Sequence, residues 1–217
     1  ARIGCVVNGA AGREILFAAP QMRRDERIAV VGAGPAGLTY ASLVAEGNYV
    51  TVFEKEAQPG GAFKFAAKAP LFQEVETEAR SFNRYIADLA AACRVKGVQF
   101  RLATDAVAAS ALLAGFDTVV IATGAEYRFG LRPFANWLLD TGIARAPGIA
   151  RLFTSPSVRN WFYYKARHGS SARFRHLARP GQRVVVIGDA ARPGKSKEAI
   201  ASAFAAALLG EGADASL

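Results

Sequence analysis

An α/β fold with a parallel sheet is what this sequence predicts, and three observations carry the prediction. Short runs rich in Val and Ile, at Arg27–Val31, Tyr49–Glu54, Val98–Leu102 and Asp117–Ile121 and within "QRVVVIGDA", read as buried strands bounded by turn signals. Helical periodicity fills the intervals between several of them. The first strand breaks directly into a glycine-rich turn, "VVGAGPAGL", and continues as a helix. At 217 residues, 52% of them hydrophobic, the chain is long enough to bury one sizeable core.

Taken in order, Pro35 to Glu46 fits a helix. Leu38, Ala41, Ser42 and Ala45 recur at helical spacing, and Gly47 stands just past the end. Strand, helix and second strand make a βαβ unit, the crossover that a parallel pair requires. A loop, "KEAQPGGAFKFAAKAP", follows. The pattern then predicts a long amphipathic helix from about Phe72 to Arg94, with Val75, Ala79, Phe82, Ile86 and Leu89 on one face. "SKEAIASAFAAALLG" gives a closing helix with Ile200, Ala203, Phe204, Ala207 and Leu208 in its apolar stripe and Gly210 as its stop. The final "GADASL" reads as frayed.

Between Glu126 and Gln182 the character changes. This stretch is aromatic and Arg-rich, almost devoid of acid, and punctuated by Pro and Gly. Short helices and loops are expected there, and no second sheet. The organisation that follows is a Rossmann-like core over 27–126 and 183–210, a mainly helical insert over 127–182, and a linker over 1–26.

A net charge of +9 raises the question of nucleic acid. The basic residues cluster late and no nucleic-acid module accompanies them, so an acidic protein partner or a phosphorylated ligand explains the charge equally well. No apolar run reaches the roughly 18 residues of a membrane-spanning helix, so a soluble protein is expected. The first residues lack the pattern of a signal peptide and read as a cut inside a longer chain. Two cysteines, Cys5 and Cys93, give no disulfide framework and suit a reducing cytoplasm. No Ser–His–Asp set, carboxylate pair or His-rich metal site stands out, so no catalytic residue is assigned. The two histidines, His168 and His176, read as solvated.

The glycine turn is the informative stretch. Gly32, Gly34 and Gly37 have the G-x-G-x-x-G spacing between a strand and a helix. Gly32 permits the tight turn, Gly34 lets backbone approach a pyrophosphate, and Gly37 lets helix and strand pack closely. With Ala33, Pro35 and Ala36 they form the candidate cradle, facing the positive end of the helix. Glu54, followed by Lys55, lies about 20 residues on, where a carboxylate accepts ribose hydroxyls.

Three further features favour FAD over a nicotinamide dinucleotide. "PGGAF" carries Gly60, Gly61 and Ala62, where backbone meets a second part of a long cofactor. "IATGA" supplies Ala122, Thr123 and Gly124 behind the adenosine half. "VIGDA" puts Gly188 and Asp189 where a carboxylate bonds a polyol hydroxyl. Each alone is an ordinary turn with glycine at positive φ.

The set "VVGAGPAGL…VFEK…PGGAF…IATGA…VIGDA" resembles two-dinucleotide flavoprotein oxidoreductases. More narrowly, "CVVNGAAGRE" (Cys5 to Glu14) resembles the C-x-x-N-P segment of the iron–sulphur branch of the Old Yellow Enzyme family, the group of 2,4-dienoyl-CoA reductase and trimethylamine dehydrogenase. The similarity covers Cys5 to about Ala125 and again Arg183 to Gly210. It implies an upstream (β/α)₈ barrel with FMN, a [4Fe–4S] cluster, and a C-terminal domain holding FAD or ADP. Cys5 would be the fourth cluster ligand, the other three lying upstream. The alternative is an ordinary small buried cysteine, and Gly9 stands where the family has Pro. The resemblance further implies pyrophosphate at Gly32, Gly34 and Gly37, ribose at Glu54, and flavin contacts at Gly60, Gly61 and Ala62. Arg84 matches a basic position on the long helix, and Ser196 and Lys197 begin the helix whose N-terminus faces the flavin ring.

The chain also departs from that pattern. No second strand–G-x-G-x-x-G–helix unit follows "ATGAE", so direct NAD(P)H oxidation is not expected. Electrons would pass between an external donor or partner and an upstream centre. In place of a nicotinamide domain stand Trp137, Trp161, Phe162, Tyr163 and Tyr164 among Arg128, Arg132, Arg145, Arg151, Arg159, Lys165, Arg167 and Arg173. Two expectations follow: a docking surface for an acidic electron-transfer protein, or a lid over the cleft with solvated arginines. A non-redox module holding ADP or an empty site, supporting the barrel or a homo-oligomer, is the alternative.

Overall fold

Alternation along the strands decides where the core sits. In the stretch Arg27–Val31, Ile28 and Val30 face one side and Ala29 and Val31 the other, all of them buried. The computed structural model describes residues 5–66, 71–72, 75–76, 78–127, 137–138, 140–143, 146–149, 155–169, 174, 176–177, 179–210 and 213–214. In chain order its elements are β1 (Arg27–Val31), α1 (Pro35–Val44), β2 (Tyr49–Phe53), α2 (Phe63–Ala66), β3 (Leu71–Phe72), β4 (Val75–Glu76), α3 (Ala79–Val95), β5 (Gln99–Arg101), β6 (Thr118–Ile121), β7 (Glu126–Tyr127), α4 (Pro156–Tyr164), β8 (Arg167–His168), β9 (Arg183–Val186), α5 (Ser196–Leu208) and β10 (Ala213–Asp214).

The main sheet runs β10-β9-β6-β1-β2-β5. All pairings are parallel except β10 on β9. From β1 the chain moves outward through β2 to β5, then returns past β1 to lay down β6 and β9. The carboxyl end of β1 therefore lies at the switch point, where an open α/β sheet leaves a crevice. One face packs Ile28, Val30, Val50, Val52, Val120 and Val185 under α1, α3 and α5. The other packs Ala29, Val31, Phe53, Val119 and Ile121 against Leu113, Phe174 and Leu177.

Three expectations are corrected. The long helix begins at Ala79, not Phe72, because β3 and β4 pair as a hairpin, Leu71 with Glu76 and Phe72 with Val75. Val75 and Ala79 keep helical phase, so the apolar pattern overran the boundary. The helix starts after Glu78, whose carboxylate accepts from the Ser81 hydroxyl at 3.0 Å. The insert is not free of strand: β7 and β8 form a two-residue antiparallel ladder, joining positions too distant in sequence for any local signal. Within the C-terminal stretch expected to fray, Ala213 and Asp214 instead form β10, which pairs with the edge of β9.

Candidate functional site

Each glycine of the β1–α1 turn answers to a different neighbour. Gly32 has φ +110°, and a Cβ there would lie 2.5 Å from the Ala122 carbonyl oxygen at the end of β6. A Cβ at Gly37 would collide with the Gly32 carbonyl oxygen, so turn and helix are in contact. Gly34 differs: only the Cα of Gly61, 3.9 Å away, stands near. A second glycine turn thus faces the first. Gly60 N donates to the Ala33 carbonyl at 2.9 Å, with φ of +143° at Gly60 and +53° at Gly61. Phe63 fixes this second turn by packing edge-on against Phe82 and at a tilt against Tyr85 of α3, with ring centroids 5.2 and 5.8 Å apart.

The result is a cradle walled by backbone at the N-terminus of α1, with Pro35 in the first turn. The first-turn N–H groups of a helix have no partner within it, and the helix dipole adds partial positive charge. A diphosphate fits such a place.

Glu54 stands behind the cradle at the end of β2, 6% exposed. Its Oε2 accepts from Ala33 N at 2.7 Å and its Oε1 from Glu56 N at 3.0 Å. A carboxylate offers about four acceptor positions, so these two bonds leave capacity for hydroxyl donors. Lys55, Ala62 and Thr123 are exposed around this rim, and Gly124 turns with φ +79°.

The β9–α5 turn joins the same end of the sheet. Gly188 has φ +61°, and a Cβ there would lie 2.9 Å from the Ala36 Cβ, so this turn packs on the first turn of α1. Asp189 follows, but its carboxylate is engaged. Oδ2 accepts from Arg167 Nη1 at 2.8 Å and Oδ1 from Gly194 N at 3.1 Å. Burial pushes the Asp189 carboxyl above its ordinary value, against the opposing pull of Arg167. At the head of α5, Lys195 N donates to Glu198 Oε2 at 3.0 Å, Ser196 is half-buried and Lys197 is exposed.

The turns at Gly32, Gly60, Ala122 and Gly188 are therefore brought together with Glu54. Arg84 is not: it points to solvent from α3, 3.7 Å from Asp88. Arg167 is the residue that the sequence did not disclose. Expected as one of several solvated arginines, it is 7% exposed. No local pattern marked it, since Ala166 and Arg167 are adjacent and both buried. His168, expected in solvent, is half-buried with Nε2 3.6 Å from Glu126 Oε2. His176 is exposed.

The insert is divided between core and surface. Phe174 and Leu177 are each 2% exposed, whereas Trp137 and Trp161 are 52% and 46% exposed. Lys165 is exposed. Arg128, Arg132, Arg145, Arg151 and Arg173 lie outside the described residues, as do the side chains of Arg159, Phe162, Tyr163 and Tyr164.

Cys5 is half-buried, and its thiol is held below the ordinary value by the backbone N–H groups of Val7 and Asn8, aided by Lys197. Among the described residues no cluster of three metal-ligating side chains forms. No helix among them is long and apolar enough to cross a membrane. At the opposite end of the sheet a cavity of about 270 Å³ lies between Arg23, Glu26, Tyr40, Asn48 and Arg183. Its charged groups are already engaged, Arg23 with Glu26 and Arg183 with the Gly210 carbonyl.

Residues 30–93 match the family described as NAD(P)-binding Rossmann-like domain. The metal reductase of Desulforamulus reducens is 36% identical over 129 residues, covering 57% of this chain and 18% of that protein. N,N-dimethylglycine/sarcosine dehydrogenase of Chromohalobacter salexigens is 36% identical over 127 residues, 56% of this chain and 17% of its own length. The chain thus spans less than a fifth of these relatives. Among solved structures, 2-naphthoyl-CoA reductase in complex with 2-naphthoyl-CoA superposes with a TM-score of 0.71 at 21% identity, over 94% of this chain and 43% of that one. Histamine dehydrogenase from Rhizobium sp. 4-9 gives a TM-score of 0.61 at 15% identity, over 94% and 47%. At these identities the structural likeness is one of fold: a Rossmann-like nucleotide-binding domain.

Proposed function

We propose that this chain is the nucleotide-binding module of a larger flavin-dependent oxidoreductase and that it holds FAD. The observation that carries the reading is the pair of facing glycine turns, tied by the Gly60 N–Ala33 O bond, with Glu54 fixed behind them. Gly32 to Gly37 would take the diphosphate and Glu54 the ribose, while Gly60, Gly61 and Ala62 border the other side. Ala122, Thr123 and Gly124 would back the adenosine half. Bound FAD would supply the redox chemistry. The chain's own residues bind it, orient it and exclude water. The names of the relatives, a reductase and a dehydrogenase, support a redox setting.

On this reading the remainder of the enzyme is an upstream barrel carrying FMN and a [4Fe–4S] cluster. Cys5 is the fourth cluster ligand, and the thiolate-favouring N–H groups of Val7 and Asn8 suit that role. An acidic electron-transfer protein would dock on the basic insert, and the setting is the cytoplasm. The alternative, a module that holds ADP without redox chemistry, is favoured by one observation: the engaged carboxylate of Asp189.

An absorption spectrum of the purified chain, with mass analysis of the ligand released on denaturation, tests the reading. Flavin bands and released FAD are expected. ADP alone, or no uptake of added FAD, would overturn the redox assignment.

A further inference from the structure

We propose that the cavity at the amino ends of β1 and β9 is a binding site for a small organic carboxylate, held by Arg183 and the Tyr40 hydroxyl. The glycine turns sit at the carboxyl end of β1, so this is the other edge of the sheet. Its volume of about 270 Å³ is close to the roughly 300 Å³ at which small-molecule sites begin. Tyr40 of α1 lines it and is 4% exposed, yet its hydroxyl makes no hydrogen bond to any of the described residues. A buried hydroxyl without an acceptor is costly. The charges that act on it belong to Arg183, Glu26 and Arg23, which line the same cavity, so the phenol oxygen is on the cavity side. Burial pushes this hydroxyl up to about 12, against the pull of Arg183, so it stays a donor at neutral pH.

Arg183 supplies the charge. It opens β9, is half-buried, and donates from Nη2 to the Gly210 carbonyl at 2.9 Å, which spends one of its several N–H donors. It has no carboxylate partner among the described residues. Glu26 is the carboxylate of the cavity, and it accepts from Arg23 Nη1 at 3.1 Å and from the Thr118 hydroxyl at 2.8 Å. Glu26 thus offsets Arg23, and the positive charge of Arg183 is left over. Helix ends carry partial negative charge on their free carbonyls, and α1 and α5 both end here. Those carbonyls are taken: Ser42 by Lys96 Nζ, Val44 by Asn48 Nδ2 and Leu208 by Gln21 N. An anion is therefore favoured over a cation. The remaining wall is apolar, with Ile28, Val44 and Ala207 buried in it, which suits a carboxylate with a short hydrocarbon body.

Amide chemical shifts of the full chain, followed by NMR during titration with butyrate and separately with n-butylammonium, test the proposal. Butyrate is expected to move the signals of Gln21, Arg183 and Gly210 along a saturable curve, and n-butylammonium to leave them in place. Tyr40→Phe, which removes only the hydroxyl, should weaken butyrate binding by about tenfold, and Arg183→Gln by at least as much. No saturable response to butyrate would overturn the proposal. So would an equal response to n-butylammonium, or unchanged butyrate affinity in Tyr40→Phe. If Arg183→Gln does not fold, Tyr40→Phe decides alone.

Discussion

Glu54 ties the glycine turn to the end of β2 with one carboxylate. Both oxygens accept backbone N–H groups, one of them in the glycine turn itself, so loss of its charge should loosen the cradle. Glu54→Gln would leave one acceptor oxygen and turn an amide N–H₂ towards a donor. We expect about 2 kcal/mol of destabilisation, read from urea unfolding, and about a tenfold loss of ADP affinity. Unchanged ADP affinity would show that this carboxylate takes no part in binding. Asp189 gives a second prediction, with the sign set by its raised pKa. The folded state holds the proton more tightly than the unfolded chain, so this group's contribution to stability is full below the unfolded value and is lost as pH rises through the folded one. Between wild type and Asp189→Asn, the urea midpoint of wild type should therefore fall relative to the variant as pH rises from the ordinary aspartate value of 3.8. Parallel profiles would show that burial does not govern this carboxyl.

At the scale of elements, α3 shows what the sequence discloses and where it stops. Its interior was readable because Phe82, Ile86 and Leu89 keep a helical period and pack on the α1 face of the sheet. Its start was not, because a hairpin of two-residue strands can share that period. The β1–α1–β2 unit was readable almost to the residue, since its strands, glycine spacing, helix stop and acid all fall within one short stretch of sequence. What stayed hidden depends on pairing across long separations: β10 on β9, β7 on β8, and Arg167 with Asp189. Cys93 illustrates the same division. Predicted only as an unpaired thiol, it is fully buried and donates from Sγ to the Leu38 carbonyl at 3.3 Å, fastening α3 to α1. Burial pushes this thiol up to about 11. Iodoacetamide at pH 8 should therefore label Cys5, whose thiol is lowered, and spare Cys93 until the chain unfolds. Equal labelling of both in native protein would mean that the α1–α3 seam opens readily.

For the whole molecule, the question is whether the insert is a detachable lid or part of the domain. A lid would cover the cleft and leave the sheet's second face to other residues. Instead Phe174 and Leu177 complete the apolar layer over Ala29, Val119, Ile121 and Val184, and Arg167 closes onto the β9–α5 turn. The strand that brings Arg167 to the β9–α5 turn thus belongs to the segment that closes the core. Phe174→Ala removes a buried ring from that layer and should cost about 3–5 kcal/mol of global stability. Urea unfolding followed both by far-ultraviolet circular dichroism and by tryptophan fluorescence checks this, since Trp137 and Trp161 both lie in the insert. A common shift of the two transitions is expected for one cooperative unit. A variant in which fluorescence shifts while the dichroism midpoint stays in place would show that the insert folds separately from the sheet.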